Sequence, residues 1–276
     1  MSQGHAAASL RRVLFFKRIL KFKKDTVESD DKRITKRYPV AAKFPLNAKI
    51  ALAARDDVNT LKPTDGKLGM DWGGQIINLS TTGASIRLHP AAESTRNEPC
   101  RLKLELKNQV IEIDGVIAHF YSAQQYSTCG VQLKFQTFEN KKAYLQLLEP
   151  VAIGAGLTAV EPDQVEQTVN GLTRELYAGY NDSVLNVWRD SSSNGIEHFE
   201  LQMSDYLIRG SAQAPPVEVV YRDCVKVGDK FSYLAAPIPV KPAEQAEVRQ
   251  LFEWIVLSMG KSVPAEVRAF LQRFVV

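Results

Sequence analysis

Two stretches in the first half of the chain alternate apolar and polar residues, Leu102-Lys103-Leu104-Glu105-Leu106 and Val110-Ile111-Glu112-Ile113-Asp114. A period of two puts every second side chain on one face of an extended strand, a pattern that a helix cannot sort onto one side. A Lys107-Asn108 turn joins the two runs, and the second continues to Ala118. Further short strands are expected at Ala48–Leu52, Gln75–Ile77 and Ala84–Leu88, with an irregular Asp/Asn/Pro/Gly loop from Asp56 to Gly74. Short strands at this cadence predict a mainly β fold, an antiparallel β-barrel. Phe138 to Leu148 predicts a closing helix, with Tyr144, Leu145 and Leu148 toward the sheet and Pro150 as its stop.

Two polar stretches interrupt this framework. Lys32-Arg33-Ile34-Thr35-Lys36-Arg37-Tyr38-Pro39-Val40 is a basic arm leading into a strand, and Asn78-Leu79-Ser80-Thr81-Thr82-Gly83 is a tight turn between two apolar runs. Arg33 and Arg37 carry planar, permanently charged forks that match phosphate oxygens or a guanine O6/N7 edge, a geometry that lysine lacks. Asn78 offers an acceptor and two donors, and Ser80 a hydroxyl. Gly83 permits positive φ and lets a ligand approach the backbone. Both stretches suit one compact anionic ligand.

These residues resemble the PilZ domains, bacterial receptors for cyclic di-GMP, whose hallmark is an Arg-x-x-x-Arg loop followed by an Asp/Asn-x-Ser-x-x-Gly turn. The resemblance extends to Tyr38-Pro39-Val40 and to Cys129-Gly130-Val131-Gln132-Leu133, and covers about residues 32–149. It implies a barrel with a C-terminal helix. It also implies that Arg33 and Arg37 hold the phosphates and guanine Hoogsteen edges, while Asn78, Ser80 and Gly83 form the opposite wall. Lys32, before the first motif arginine, leaves open whether one ligand or a stacked pair is bound, and Asn78 is an accepted variant of Asp. The outputs implied are motility, exopolysaccharide synthesis or surface attachment, exerted through an effector protein. The alternatives are a nucleotide-independent adaptor and a basic scaffold on a membrane surface.

Charge sharpens the picture. The 276 residues carry a net charge of +4, but residues 1–37 hold eleven Lys or Arg against four acids. The positive potential is concentrated in the arm, which fits a small anion and argues against a broad face for duplex nucleic acid. Leu10 to Lys24 mixes bulky apolar residues with seven cations, and reads as a peripheral tether or docking helix, a plain helical lead-in, or a membrane anchor. Asp25 to Asp31 is an acidic linker. No apolar run approaches the roughly twenty residues that span a bilayer. Cys100, Cys129 and Cys224 are widely spaced, as expected in a reducing cytoplasm.

The expected organisation is a basic segment over 1–31, the PilZ-like domain over 32–150, a linker over 151–160 that takes in Gly154-Ala155-Gly156, and a C-terminal domain over 161–276. In that last part Val165, Val169, Leu172 and Leu176 predict a helix from Asp163 to Tyr177. Strands are expected at Ser183–Arg189, Glu197–Met203, Val217–Tyr221 and Phe231–Leu234, then a helix over Ala243–Met259 and another from Pro264 to near Phe274. Strands closed by a helix repeat the logic of the first half. The expectation is a second, divergent PilZ-like barrel that has lost its ligand and serves as an interaction platform.

No enzyme is expected. His5, His89, His119 and His198 are isolated in sequence, and no Gly-x-Ser-x-Gly elbow, Walker loop or His-Glu-x-x-His occurs, so neither a metal nor a cofactor is expected. Trp72, in a Gly-rich loop, either covers a bound base or plugs the barrel end.

Overall fold

Alternation in the sequence becomes an inside and an outside. The computed structural model describes residues 35–55, 63–107, 109–167, 170–203, 205–221, 224–227, 230–233 and 240–275. Seven strands come first: β1 (Tyr38–Pro39), β2 (Leu46–Arg55), β3 (Pro63–Ser80), β4 (Gly83–Leu88), β5 (Pro99–Leu106), β6 (Gln109–Ser122) and β7 (Ser127–Lys134). Their order is β1-β3-β2-β5-β6-β7-β4, and β4 returns to pair with β3, closing an antiparallel barrel of six strands with β1 attached beside β3. Leu102, Leu104, Leu106, Ile111, Ile113 and Ile117 all point into its core.

β3 is longer than the sequence predicts. Residues expected to form an irregular loop up to Gly74 are strand from Pro63 onward. They pair with β2 from Ala48↔Gly74 to Arg55↔Pro63, with register shifts between Ala51 and Ala53 and between Ala53 and Arg55. Such bulges let a Gly- and Asp-rich run stay hydrogen-bonded without the alternation that would have announced it. Trp72 lies opposite Ile50 and packs against the core from a partly buried position. It stacks on His89 with ring centroids 6.4 Å apart.

α1 (Phe138–Gly156) begins where expected, with the Thr137 hydroxyl accepting from the Asn140 amide at 3.2 Å. Pro150 does not stop it. A proline inside a helix costs about 3 kcal/mol. Here Leu147, Leu148, Val151 and Ala152 are fully buried around it, and each large apolar side chain so placed returns about 1.5–3 kcal/mol. The segment expected to be a linker from 151 is therefore buried helix as far as Gly156.

The second half builds a sheet of β8 (Thr158–Ala159), β9 (Leu172–Ala178), β10 (Val184–Asp190), β11 (Ile196–Met203), β12 (Tyr206–Ser211) and β13 (Ala214–Tyr221), in the order β13-β12-β11-β10-β9-β8. A separate hairpin follows, β14 (Cys224–Val227) with β15 (Lys230–Tyr233), then α2 (Pro242–Ser258) and α3 (Ala265–Gln272). The helix expected over Asp163 to Tyr177 is instead a 3-10 turn at Pro162–Gln164 followed by β9. Residues four apart share a face in a strand as well as in a helix, so Leu172 and Leu176 fit both. Gly171, at φ +81°, makes the turn into the strand. Among the described residues this sheet is an open meander in sequence order, without the crossed order and closure of the first. The expected second barrel is not repeated there.

The two sheets share one continuous core. A Cβ on Gly154 would come within 2.4 Å of the Ile255 carbonyl oxygen, so the glycine is what lets α1 close onto α2. Phe199 stacks on Phe252 at 5.6 Å and meets Phe274 edge-on at 5.2 Å, joining the meander to α2 and to the residues after α3. No helix among the described residues is long and apolar enough to cross a membrane. Lys32, the Leu10 to Lys24 segment and the acidic linker lie outside the described residues.

Candidate functional site

The polar turn of the sequence is the hairpin between β3 and β4, with Thr81 and Thr82 at its tip. Ser80 is buried, and its hydroxyl donates to the Gly83 carbonyl at 3.3 Å. Gly83 is needed here for space and not for positive φ, which among the described glycines only Gly171 adopts. A Cβ at Gly83 would sit 2.8 Å from the Val131 carbonyl oxygen. The turn is held from inside the barrel as well. The Tyr144 hydroxyl, on fully buried α1 side chain, donates to the Ser80 carbonyl at 2.7 Å and lies 3.3 Å from that of Gly83. Burial pushes the Tyr144 phenol far above its ordinary pKa, so the proton it donates stays in place. The Leu133 amide donates to the Thr82 carbonyl at 2.9 Å.

The basic arm arrives beside this turn. β1 pairs with β3 as Tyr38↔Leu79 and Pro39↔Asn78. Continued backwards, that antiparallel register sets Thr35 opposite Thr82, and their hydroxyls lie 3.3 Å apart. Arg37 therefore falls opposite Ser80, with its side chain exposed. Lys36 Nζ stands 5.5 Å from the centre of the Tyr38 ring. Arg33 lies outside the described residues. Of the five residues singled out in the sequence, four (Arg37, Asn78, Ser80 and Gly83) are thus gathered on one end of the barrel wall.

Residues match a known family model over the same span: 32–149 fit the PilZ domain. This chain carries a PilZ domain. Among solved structures, the crystal structure of the PilZ domain of CeSA from a cellulose-synthesizing bacterium is similar over 41% of this chain and 95% of its own, at 13% identity and a TM-score of 0.30. No curated protein matches. PilZ domains are a binding and adaptor family, associated with cyclic di-GMP reception.

The PilZ barrel is anchored to the second half at this same end. Tyr38 is almost fully buried and meets Tyr180 edge-on at 5.5 Å, between β9 and β10. Gly156, at the end of α1, would place a Cβ 3.5 Å from Tyr180 and 3.8 Å from Tyr38. Trp72 stands six residues from Asn78 along β3, roughly 20 Å at 3.3 Å per residue, which puts it out of reach of the turn. Its packing against the core fits the barrel-end role.

Sequence reasoning missed two positions in the PilZ domain. Tyr144 appeared only as a core residue, because its hydrogen bond spans 64 positions and leaves no local signal. His119 appeared as one of four isolated histidines, although its partner in the sheet is Gly130, in the late Gly-Val strand. Among the described residues no group of three or more His, Cys, Asp or Glu is arranged to hold a metal.

Proposed function

We propose that this protein is a cyclic di-GMP receptor whose ligand is held by Arg33, Arg37, Asn78, Ser80 and Gly83, and which passes the messenger level to an effector protein. The observation that carries the reading is the register of the arm: Tyr38↔Leu79 and the Thr35–Thr82 contact line the residues around Arg37 along the turn. Charge on the two phosphates is met by guanidinium forks from one side. Polar groups of Asn78 and Ser80 meet base edges from the other, and Gly83 keeps the turn that carries them seated against Val131.

Ordering a free chain costs about 1–2 kcal/mol per residue. Thr35 to Pro39 already runs beside β3, so binding does not have to order that part of the arm. The ligand shifts the population toward the docked arm to the extent that it binds that state better. Because Tyr38 follows directly after Arg37 and packs on Tyr180, the docked arm presents its change next to the second sheet, where an effector protein can read it.

Isothermal titration of the full chain with cyclic di-GMP tests this. Binding is expected for the wild type, lost in Arg37→Ala, and sharply weakened in Arg33→Ala and Ser80→Ala. An unchanged affinity in the double arginine variant would refute the site. No binding by the wild type would leave a nucleotide-independent adaptor as the function.

A further inference from the structure

His119 stands alone in the sequence but not in the fold. β6 shifts register between Ile117 and His119, which pairs His119 with Gly130 on the outer side of the barrel wall. A Cβ built on Gly130 would lie 2.0 Å from His119 Cε1, 2.4 Å from Nδ1 and 2.6 Å from Nε2. Three ring atoms so close place the imidazole directly over the Gly130 backbone, one strand nearer the turn than its own Cα. His119 is nonetheless exposed. From Gly130 the same cross-strand row runs on to Ser85 and then to Asn78. With neighbouring strands about 4.8 Å apart, the ring lies about 10 Å from Asn78 along the wall.

We infer that His119 is a stacking platform for one base of the bound cyclic dinucleotide, an assignment that rests on the cyclic di-GMP reading above. An exposed imidazole contributes little to the core, so core packing does not account for a bulge and a glycine that together seat it flat on the wall. A ring lying on backbone can offer its outer face to a purine. It shares a row with Asn78, whose amide reads hydrogen-bonding edges that a stacking ring cannot. The separation of the two suits bases carried on opposite sides of one cyclic dinucleotide. His119 thus extends the site from β3 and β4 across β7.

Titration calorimetry on the full chain tests the assignment, with cyclic di-GMP and the variants His119→Ala, His119→Phe and Gly130→Ala. Loss of a base–aromatic stack is worth about tenfold in affinity. His119→Ala is expected to weaken binding by that factor with an unchanged thermal midpoint, and His119→Phe to retain most of the affinity. Gly130→Ala pushes the ring from its seat, so it should weaken binding in the wild-type background and have no further effect in His119→Ala. Equal affinity of His119→Ala and the wild type overturns the platform while the receptor reading stands. A Phe variant as weak as the Ala variant overturns stacking in favour of an imidazole hydrogen bond. Failure of the wild type to bind overturns both readings.

Discussion

Replacing Tyr144 with Phe removes one oxygen atom from beneath the β3–β4 turn. The ring keeps its place against Phe135, whose centroid is 5.4 Å away, so the apolar packing of α1 is preserved. What is lost is the 2.7 Å hydrogen bond to the Ser80 carbonyl. Both Tyr144 and Ser80 are buried, and water cannot take the place of the hydroxyl without entering the barrel. A buried acceptor deprived of its donor costs about 1–3 kcal/mol. We expect Tyr144→Phe to lower stability by about 1–2 kcal/mol, read as a fall in the urea midpoint at unchanged slope. The loss should be local in origin. Hydrogen exchange should quicken at Leu133, whose amide is bonded to Thr82, before it quickens in the second sheet. Wild-type stability in the variant, or exchange that quickens evenly over both halves, would refute the claim that this hydroxyl fixes the turn.

Two further predictions concern the rest of the molecule. Gly154→Ala should destabilise the whole chain by about 3 kcal/mol, because the new methyl would meet the Ile255 backbone at 2.4 Å and part α1 from α2; a thermal midpoint equal to wild type would remove this contact from the account. Asp190 accepts hydrogen bonds from the hydroxyls and amides of Ser192 and Ser193, which bring its pKa down to about 2. Its folded value lies below the unfolded one near 3.9, so its contribution is complete above about pH 4 and drains as pH falls through about 2. A carboxyl titration followed by NMR should show that low midpoint, and a midpoint at the ordinary carboxylate value would contradict the turn geometry.

How much of this was legible in the sequence depends on how local each signal is. The alternating runs around Leu104 and Ile113 declared their strands because each fits within a few residues. Arg37 and the Asn78–Gly83 turn, far apart in the chain, could be set side by side only through the family resemblance, and the register of β1 on β3 is what brings them together. β3 was only half visible, since its first part stays in the sheet through bulges against β2 and carries no period of its own. β9 was read as helix because Leu172 and Leu176 satisfy either period, and only the pairing with β10 decides between them. The passage of α1 through Pro150 was hidden for a different reason. Local propensity opposes it, and the burial that overrules propensity comes from residues a hundred positions away, such as Ile255. Tyr144 and His119 owe their places to sheet registers and helix docking that no short window contains.

The family match ends at residue 149, yet the helix does not. Shared ancestry and mechanical integrity therefore have different borders in this molecule. A fragment severed at the border of the family match would lose Val151, Ala152, Ile153 and Leu157 from the shared core, together with the whole of α2 on which the end of α1 closes. Anyone wishing to study the PilZ half by itself has to carry the remainder of that helix and supply something for it to lean on.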